Sequence, residues 1–427
     1  MKSLTKITIL VILFLCSNLF AQESQKDVKY KRSSLYTLML SDDIKENSDV
    51  IESTFKGSLI PDKFNNHIID LRIIPKVDTT QITISDTSSK KKKGLLSKIP
   101  KFGKKDKGKD KKIQLAIYSF LDSMDIAKSM VAKWFNRSES GGFNTDLISQ
   151  RGFYNATDLD IKISRNTERG SAMLSDAGEK LINNTFVIVN DFRYTNKEEI
   201  ASKTKGVLNT ISLVTNNSDI ATVSDVTSAG LDVAGKGYIV KTKAYLYKLV
   251  WNEEVAAIFY NDFWTEDGSL DSEKVKAFNE TDIFKLKLLG EETAWADVQS
   301  TTLTQKTNDD LIALATIRAV DNVIAKLQRK YEVFRTKSPL LSGDPIAAKI
   351  GLKEGIEKGD KYEVLEQVID KDGHTEYKRV GVIKVDKNHI WDNRFMADEE
   401  SNSTIEYTTF SGSKNKYYSG MLIRQIN

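Results

Sequence analysis

The sequence predicts an α+β fold: a mixed helix and antiparallel-sheet body followed by a small C-terminal antiparallel β-barrel. Three observations point to it. Helical stripes, strongest in Asn308–Tyr331, are interleaved with short apolar or alternating runs of strand length. From Ser342 onward, closely spaced strand patterns and turn residues replace the helices. The 427 residues also suffice for more than one core, at ~100–200 residues per domain. The expected divisions are 1–22, 23–76, 77–112, 113–336 and 337–427.

Residues 1–22 have the layout of a secretory signal peptide. Lys2 and Lys6 precede the apolar run Ile7–Phe20, and Ala21 supplies a small residue for cleavage. The run falls short of the ~20 apolar residues of a membrane span. A retained anchor and lipidation at Cys16 are the alternatives. Bulky Leu15 beside that cysteine disfavours the second. Cys16 is the only cysteine, so a processed chain has no disulfide, thiolate metal site or cysteine nucleophile. An exported protein without disulfides fits a bacterial envelope. The expected location is the periplasm or the inner side of the outer membrane.

In residues 23–76, Ser33–Leu40 reads as a strand. Ile44, Val50, Ile51 and Phe55 have helical spacing, and His67–Ile74 reads as a second strand stopped by Pro75. Residues 77–112 are different. Twelve lysines and two aspartates between Lys90 and Lys112 give that stretch a charge of +10. The leader adds +2, so a whole-chain charge of +4 leaves the rest at −8. A mildly acidic body and export both argue against nucleic acid as a partner. The basic block reads as a solvated, flexible insertion. Its alternative role is contact with an anionic membrane surface. The cations of that contact would be Lys90, Lys91, Lys92, Lys93, Lys98, Lys101, Lys104 and Lys105. Leu95, Leu96, Ile99 and Phe102 would insert.

In 113–336 the spacing predicts one helix over Ile113–Phe135, with Ile117, Phe120, Met124, Val131 and Trp134 on its stripe. Shorter helices are expected over Ser171–Asn183 and Lys197–Val214, with a buried strand at Thr185–Tyr194 between them. Gly237–Trp264 reads as a hairpin that turns at Trp251–Glu254 and returns over Val255–Trp264. Tyr245, Tyr247, Leu249 and Trp251 would share one face, and Val240, Thr242, Ala244 and Leu246 the other. Cross-strand packing is the preferred account of the aromatics over a ligand platform. Asn308–Tyr331 is a long core helix, with Asn308, Asp309 and Asp310 as its capping and first-turn residues. In 337–427, Lys371–His374 carries an Asp-Gly hairpin turn between two extended runs. Ser403–Phe410 and Tyr417–Ile426 supply further strands of a closed or nearly closed barrel.

No catalytic, cofactor-binding or metal-binding residue is assigned. Gly230–Gly237 matches G-x-x-x-x-G-K, but Gly237 stands where Ser or Thr must hold magnesium, and a strand follows. His67, His374 and His389 share no ligand spacing and read as surface or turn residues. Asp370–Glu376 begins like a calcium loop but is better explained as a turn. The carboxylates of Asp158 and Asp160, or of Glu291 and Glu292, are the raw material for glycoside hydrolysis if a cleft sets two of them face to face.

Gly351, Gly355, Gly359, Asp360, Tyr362 and Val364, followed by Val380, Gly381, Ile383 and Val385, form a glycine-turn and strand pattern. It resembles the small β-barrel of periplasmic proteins associated with flagellar or curli assembly in Gram-negative bacteria. "RSSLYTLML", "AKWFNR", "TFVIVNDFRY" and "YLYKLVWN" resemble segments of uncharacterised exported bacterial proteins. The barrel resemblance covers about 45 residues and implies fold, with function left to the site. The expectation is a non-enzymatic exported envelope protein acting by binding or assembly, its partner an unknown envelope protein or glycan. The alternatives are a glycan-directed hydrolase with unplaced carboxylates and a peripheral membrane-surface adaptor using the Lys-rich segment.

Overall fold

A computed structural model describes residues 30–41, 47–75, 107–155, 180–205, 235–300, 305–369, 375–399, 405–413 and 415–426. The leader, the Lys-rich contacts from Lys90 to Lys105, Asp158, Asp160 and His374 lie outside them.

The body is built on one mixed sheet in the order β2-β1-β4-β5-β6, with β3 also paired to β1. The strands are β1 (Ser34–Leu40), β2 (Asn65–Asn66), β3 (Ile73–Ile74), β4 (Thr185–Asn196), β5 (Gly237–Leu249) and β6 (Leu286–Gln299). β1 runs parallel to β4, and β5 runs antiparallel to both of its neighbours, β4 and β6. Every residue of β1 is buried because helices cover both faces of the sheet. On one face lie α2 (Lys107–Ser123), α3 (Ile126–Trp134) and α4 (Asp146–Asn155), packed on Tyr36, Leu38, Tyr245 and Tyr247. On the other lie α1 (Ser48–Gly57) and α8 (Asn308–Lys330), packed on Leu35, Met39, Val240 and Leu246. The period of two in β5 therefore serves two cores, and its aromatics are packing residues as expected.

Four expectations are corrected. The segment after Trp251 is helical, not a returning strand: α6 (Glu253–Ile258) leads into a π turn at Phe259–Phe263. Asn252 caps α6 by accepting from the Val255 amide at 2.9 Å, and Glu253 and Glu254 sit where the helix dipole favours acids. Ala256, Phe259 and Phe263, all buried, keep helical spacing. The helix expected over Ile113–Phe135 starts earlier, at Lys107, and breaks at Asp125, whose φ of 51° is left-handed. The break turns Met124 outward, 48% exposed. Strand pairing in His67–Ile74 is confined to Ile73–Ile74, with Asn65–Asn66 paired just before. The cap of α8 is Thr307, which forms a reciprocal capping box with Asp310. α5 (Lys197–Lys205) follows β4, and α7 (Ser272–Glu280) precedes β6.

The long strand β6 is the exposed flank of the sheet, and α8 closes it. Asn322 Nδ2 donates to Trp295 O at 2.9 Å, Lys326 Nζ to Thr293 O at 3.1 Å and Lys330 Nζ to Glu291 O at 3.2 Å. Donors four apart on a helix thus meet carbonyls two apart on a strand, which blunts an edge open to strand addition.

The C-terminal unit is a closed antiparallel barrel in the order β10-β11-β8-β7-β12-β9. Its strands are β7 (Ser338–Gly343), β8 (Ile346–Ala348), β9 (Lys361–Ile369), β10 (Thr375–Val385), β11 (Thr408–Ser411) and β12 (Leu422–Ile426). β9 and β10 form the expected hairpin, with a register shift between Arg379 and Gly381. A Cβ on Gly381 would stand 2.1 Å from the Tyr417 hydroxyl, so the barrel wall closes only around a glycine there. The glycine-turn segment docks the barrel on α8. Gly355, at φ 68°, lets the turn rest on Ala325, and Arg329 grips Asp360 with two hydrogen bonds of 2.6 and 3.1 Å.

Candidate functional site

Two places gather polar and charged side chains inside the protein. The first is a buried network around His67. The imidazole is fully buried, which corrects its expected place in a surface turn. Its Nε2 lies 3.0 Å from Met130 O, and its Nδ1 lies 2.9 Å from Arg151 Nη1. These partners fix the tautomer: Nε2–H donates and Nδ1 accepts. Burial first, then Arg151, holds its pKa well below the usual histidine value, so the ring is neutral. Arg151 also donates to Ser34 Oγ at 3.2 Å and Asn66 O at 2.6 Å, and lies 4.4 Å over the Trp134 ring. Trp134 Nε1 in turn donates to Thr185 Oγ1 at 2.9 Å. Burial lowers the Arg151 pKa to about 10, which leaves it charged at neutral pH. Both ring nitrogens of His67 are engaged, so no base remains to activate Ser34. This network ties β1, α3, α4 and β4 together and is structural.

The second place is a cleft of about 570 Å³ where the N-terminal segment, the end of α8 and the barrel meet. Arg32, Lys63, Arg335, Lys337 and Arg424 line it, against one carboxylate, Glu332. The other lining groups are mostly polar: Tyr30, Ser33, Asn184 and Thr336, with Val333 the aliphatic exception. Two of the cations hold the framework. Arg335 donates to the carbonyls of Gln328, Arg329 and Gln425 at 3.0, 2.7 and 3.4 Å, stapling the end of α8 to β12. Arg424 pairs with Glu363 at 2.6 Å and more loosely with Glu332 at 3.7 Å.

Lys63 and Lys337 are placed differently. Both are half-buried, and among the described residues neither has a carboxylate within ion-pair distance. Lys337 Nζ stands 4.2 Å over the Tyr377 ring. Burial, then the nearby charges of Arg424 and Arg32, lowers its pKa to about 8, against the weaker pull of Glu363. Burial likewise lowers Lys63, against the pull of Glu354 and Asp321. Tyr30 closes the same wall, its hydroxyl 2.5 Å from that of Tyr377.

The carboxylates singled out in the sequence do not form a facing pair. Glu291 and Glu292 are consecutive on β6 and point to opposite faces. Glu291 meets Lys243 at 3.2 Å and Gln114 at 2.8 Å, while Glu292 pairs with Lys330. His389 is exposed. Gly237 opens β5, the strand expected after the Gly-rich match. Among the described residues no group of three or more His, Cys, Asp or Glu is placed to hold a metal, and no helix is long and apolar enough to cross a membrane. The cleft cations escape a reading of the sequence because Arg32, Lys63 and Arg424 come from positions far from one another and from Arg335 and Lys337. The one local signal is Arg335-Thr336-Lys337, a basic triplet between α8 and the barrel of a chain whose body is acidic.

Neither a model of a known protein family nor a curated protein sequence matches this chain.

Proposed function

We propose that the chain is an exported, non-enzymatic binding protein that holds an anionic ligand in the cleft between body and barrel. The observation that carries this reading is the pair of half-buried ammonium groups, Lys63 and Lys337, neither of which forms an ion pair among the described residues. Desolvating a cation without pairing it is costly, and a protein that needed only a stable seam would be better served by apolar side chains there. An anion entering the cleft supplies the missing charge. The sealed flank of β6 and the closed barrel favour side-chain recognition over strand addition as the mode of binding. The leader-like residues 1–22 support export, and the barrel pattern supports a place in the envelope.

A panel of carboxylated, sulfated and phosphorylated sugars and polymers tests this reading, titrated into the wild type and the Lys63→Ala/Lys337→Ala double variant. At least one anion should bind the wild type and lose about tenfold or more in affinity in the variant. If no anion of any class binds in a way that depends on these two lysines, the reading fails. Cell fractionation with N-terminal sequencing tests export separately.

A further inference from the structure

We propose that the anion taken by this cleft is a phosphate monoester, with Lys63, Lys337 and Arg32 as its charged contacts; this rests on the binding reading above. Charge number and geometry both lead there. With Arg335 committed to backbone carbonyls and Arg424 to Glu363, Lys63, Lys337 and Arg32 still bring three cations to a lining whose one carboxylate is Glu332. A carboxylate or sulfate ester carries one negative charge and meets less of this excess. A phosphate monoester above pH 7 carries nearly two.

The neutral groups fit the same ligand. Ser33, Thr336 and Asn184 bring hydroxyl and amide groups to the wall, suited to a tetrahedral group with three terminal oxygens. With Val333 the only aliphatic lining residue, the part of the ligand beside the phosphate is polar, as in a sugar or polyol. Lys337 adds a signature. Its depressed pKa means that part of its population is neutral at pH 8, so a dianion must draw a proton onto it.

The test uses the full chain and three ligands on one scaffold: glucose 6-phosphate, glucose 6-sulfate and glucuronate, titrated calorimetrically. A second arm uses phosphatidylcholine vesicles with and without phosphatidic acid, which separates a soluble ester from a lipid headgroup. The expected result is binding of the phosphate, soluble or vesicle-borne, at least about tenfold tighter than the two monoanions. That affinity should fall about tenfold or more in Lys337→Ala and Lys63→Ala. It should stay unchanged in Lys276→Ala, which alters an exposed lysine on α7. Affinity for glucose 6-phosphate should also weaken from pH 7.5 to pH 9.5, where the ligand itself no longer titrates. Equal or tighter binding of glucuronate or the sulfate overturns the phosphate assignment and leaves the anion-binding reading standing. No phosphate binding in either arm, or phosphate binding indifferent to both lysines, also overturns it.

Discussion

Arg151 and Lys337 are both cations laid over aromatic rings, 4.4 Å above Trp134 and 4.2 Å above Tyr377, yet their surroundings are opposite. Arg151 spends its donors on Ser34, His67 and Asn66, all within the protein. Lys337 has the ring and, among the described residues, no ion pair. The first site is complete without a ligand. The second meets its burial with a ring contact and no ion pair among the described residues. The lesson is that a buried charge by itself says little. Whether its hydrogen-bonding capacity is used up separates a structural cation from one held for a partner.

Removing each cation should therefore move stability in opposite directions. Arg151→Met strands a histidine nitrogen, a serine hydroxyl and a backbone carbonyl in the interior. It should cost about 3 kcal/mol, read as a lower urea midpoint. Trp134→Phe keeps the stacking but loses the indole donor to Thr185, a loss of about 1 kcal/mol. Lys337→Met should instead stabilise the protein at pH 7, by about 1 kcal/mol after allowance for solvent screening, while abolishing anion binding. A lower urea midpoint in that variant would make Lys337 a structural residue and erase the contrast.

The same lysine predicts a pH dependence. In the folded protein it releases its proton near pH 8, and in the unfolded chain nearer its ordinary 10.5. Between those values the unfolded state binds more protons, so the contribution of Lys337 to stability rises with pH across that window. The urea midpoint of the wild type should gain on that of Lys337→Met between pH 8 and pH 10. Saturating anion, by holding the proton on the folded form, should shrink the gain. The smallest effect is expected from Lys276→Ala, whose pairing with Glu280 is exposed on both sides; it should leave midpoint and binding unchanged.

Much of the fold was legible where the pattern reports burial directly. The short, mostly apolar run of β1, the alternation in β5 and the stripe of α8 each reflect contacts with covering layers. The β9–β10 hairpin and Gly381 were legible because few residues suit a turn or a close approach. Val255–Trp264 was misread because a short, densely apolar segment satisfies either period, and the Asn252 cap with its two glutamates was the deciding clue. The network around His67 and the basic cleft were not legible. Their members stand far apart along the chain, and only the packing of β1, α4 and the barrel brings them together.

The bonds between α8 and β6 have a further consequence, that of a vernier. Four residues of helix advance ~6.0 Å, while two residues of strand advance ~6.7 Å. The two scales slip by ~0.7 Å at each rung, yet all three contacts keep ordinary lengths of 2.9, 3.1 and 3.2 Å. The short amide of Asn322 serves the first rung, and the long, pliant chains of Lys326 and Lys330 take up the drift. At the last, the Tyr331 hydroxyl joins Lys330 on the same carbonyl. Such a seal runs out of register within a few rungs. The length of edge that one helix can keep from other strands is therefore set by the mismatch of two repeats, whatever the helix's own stability.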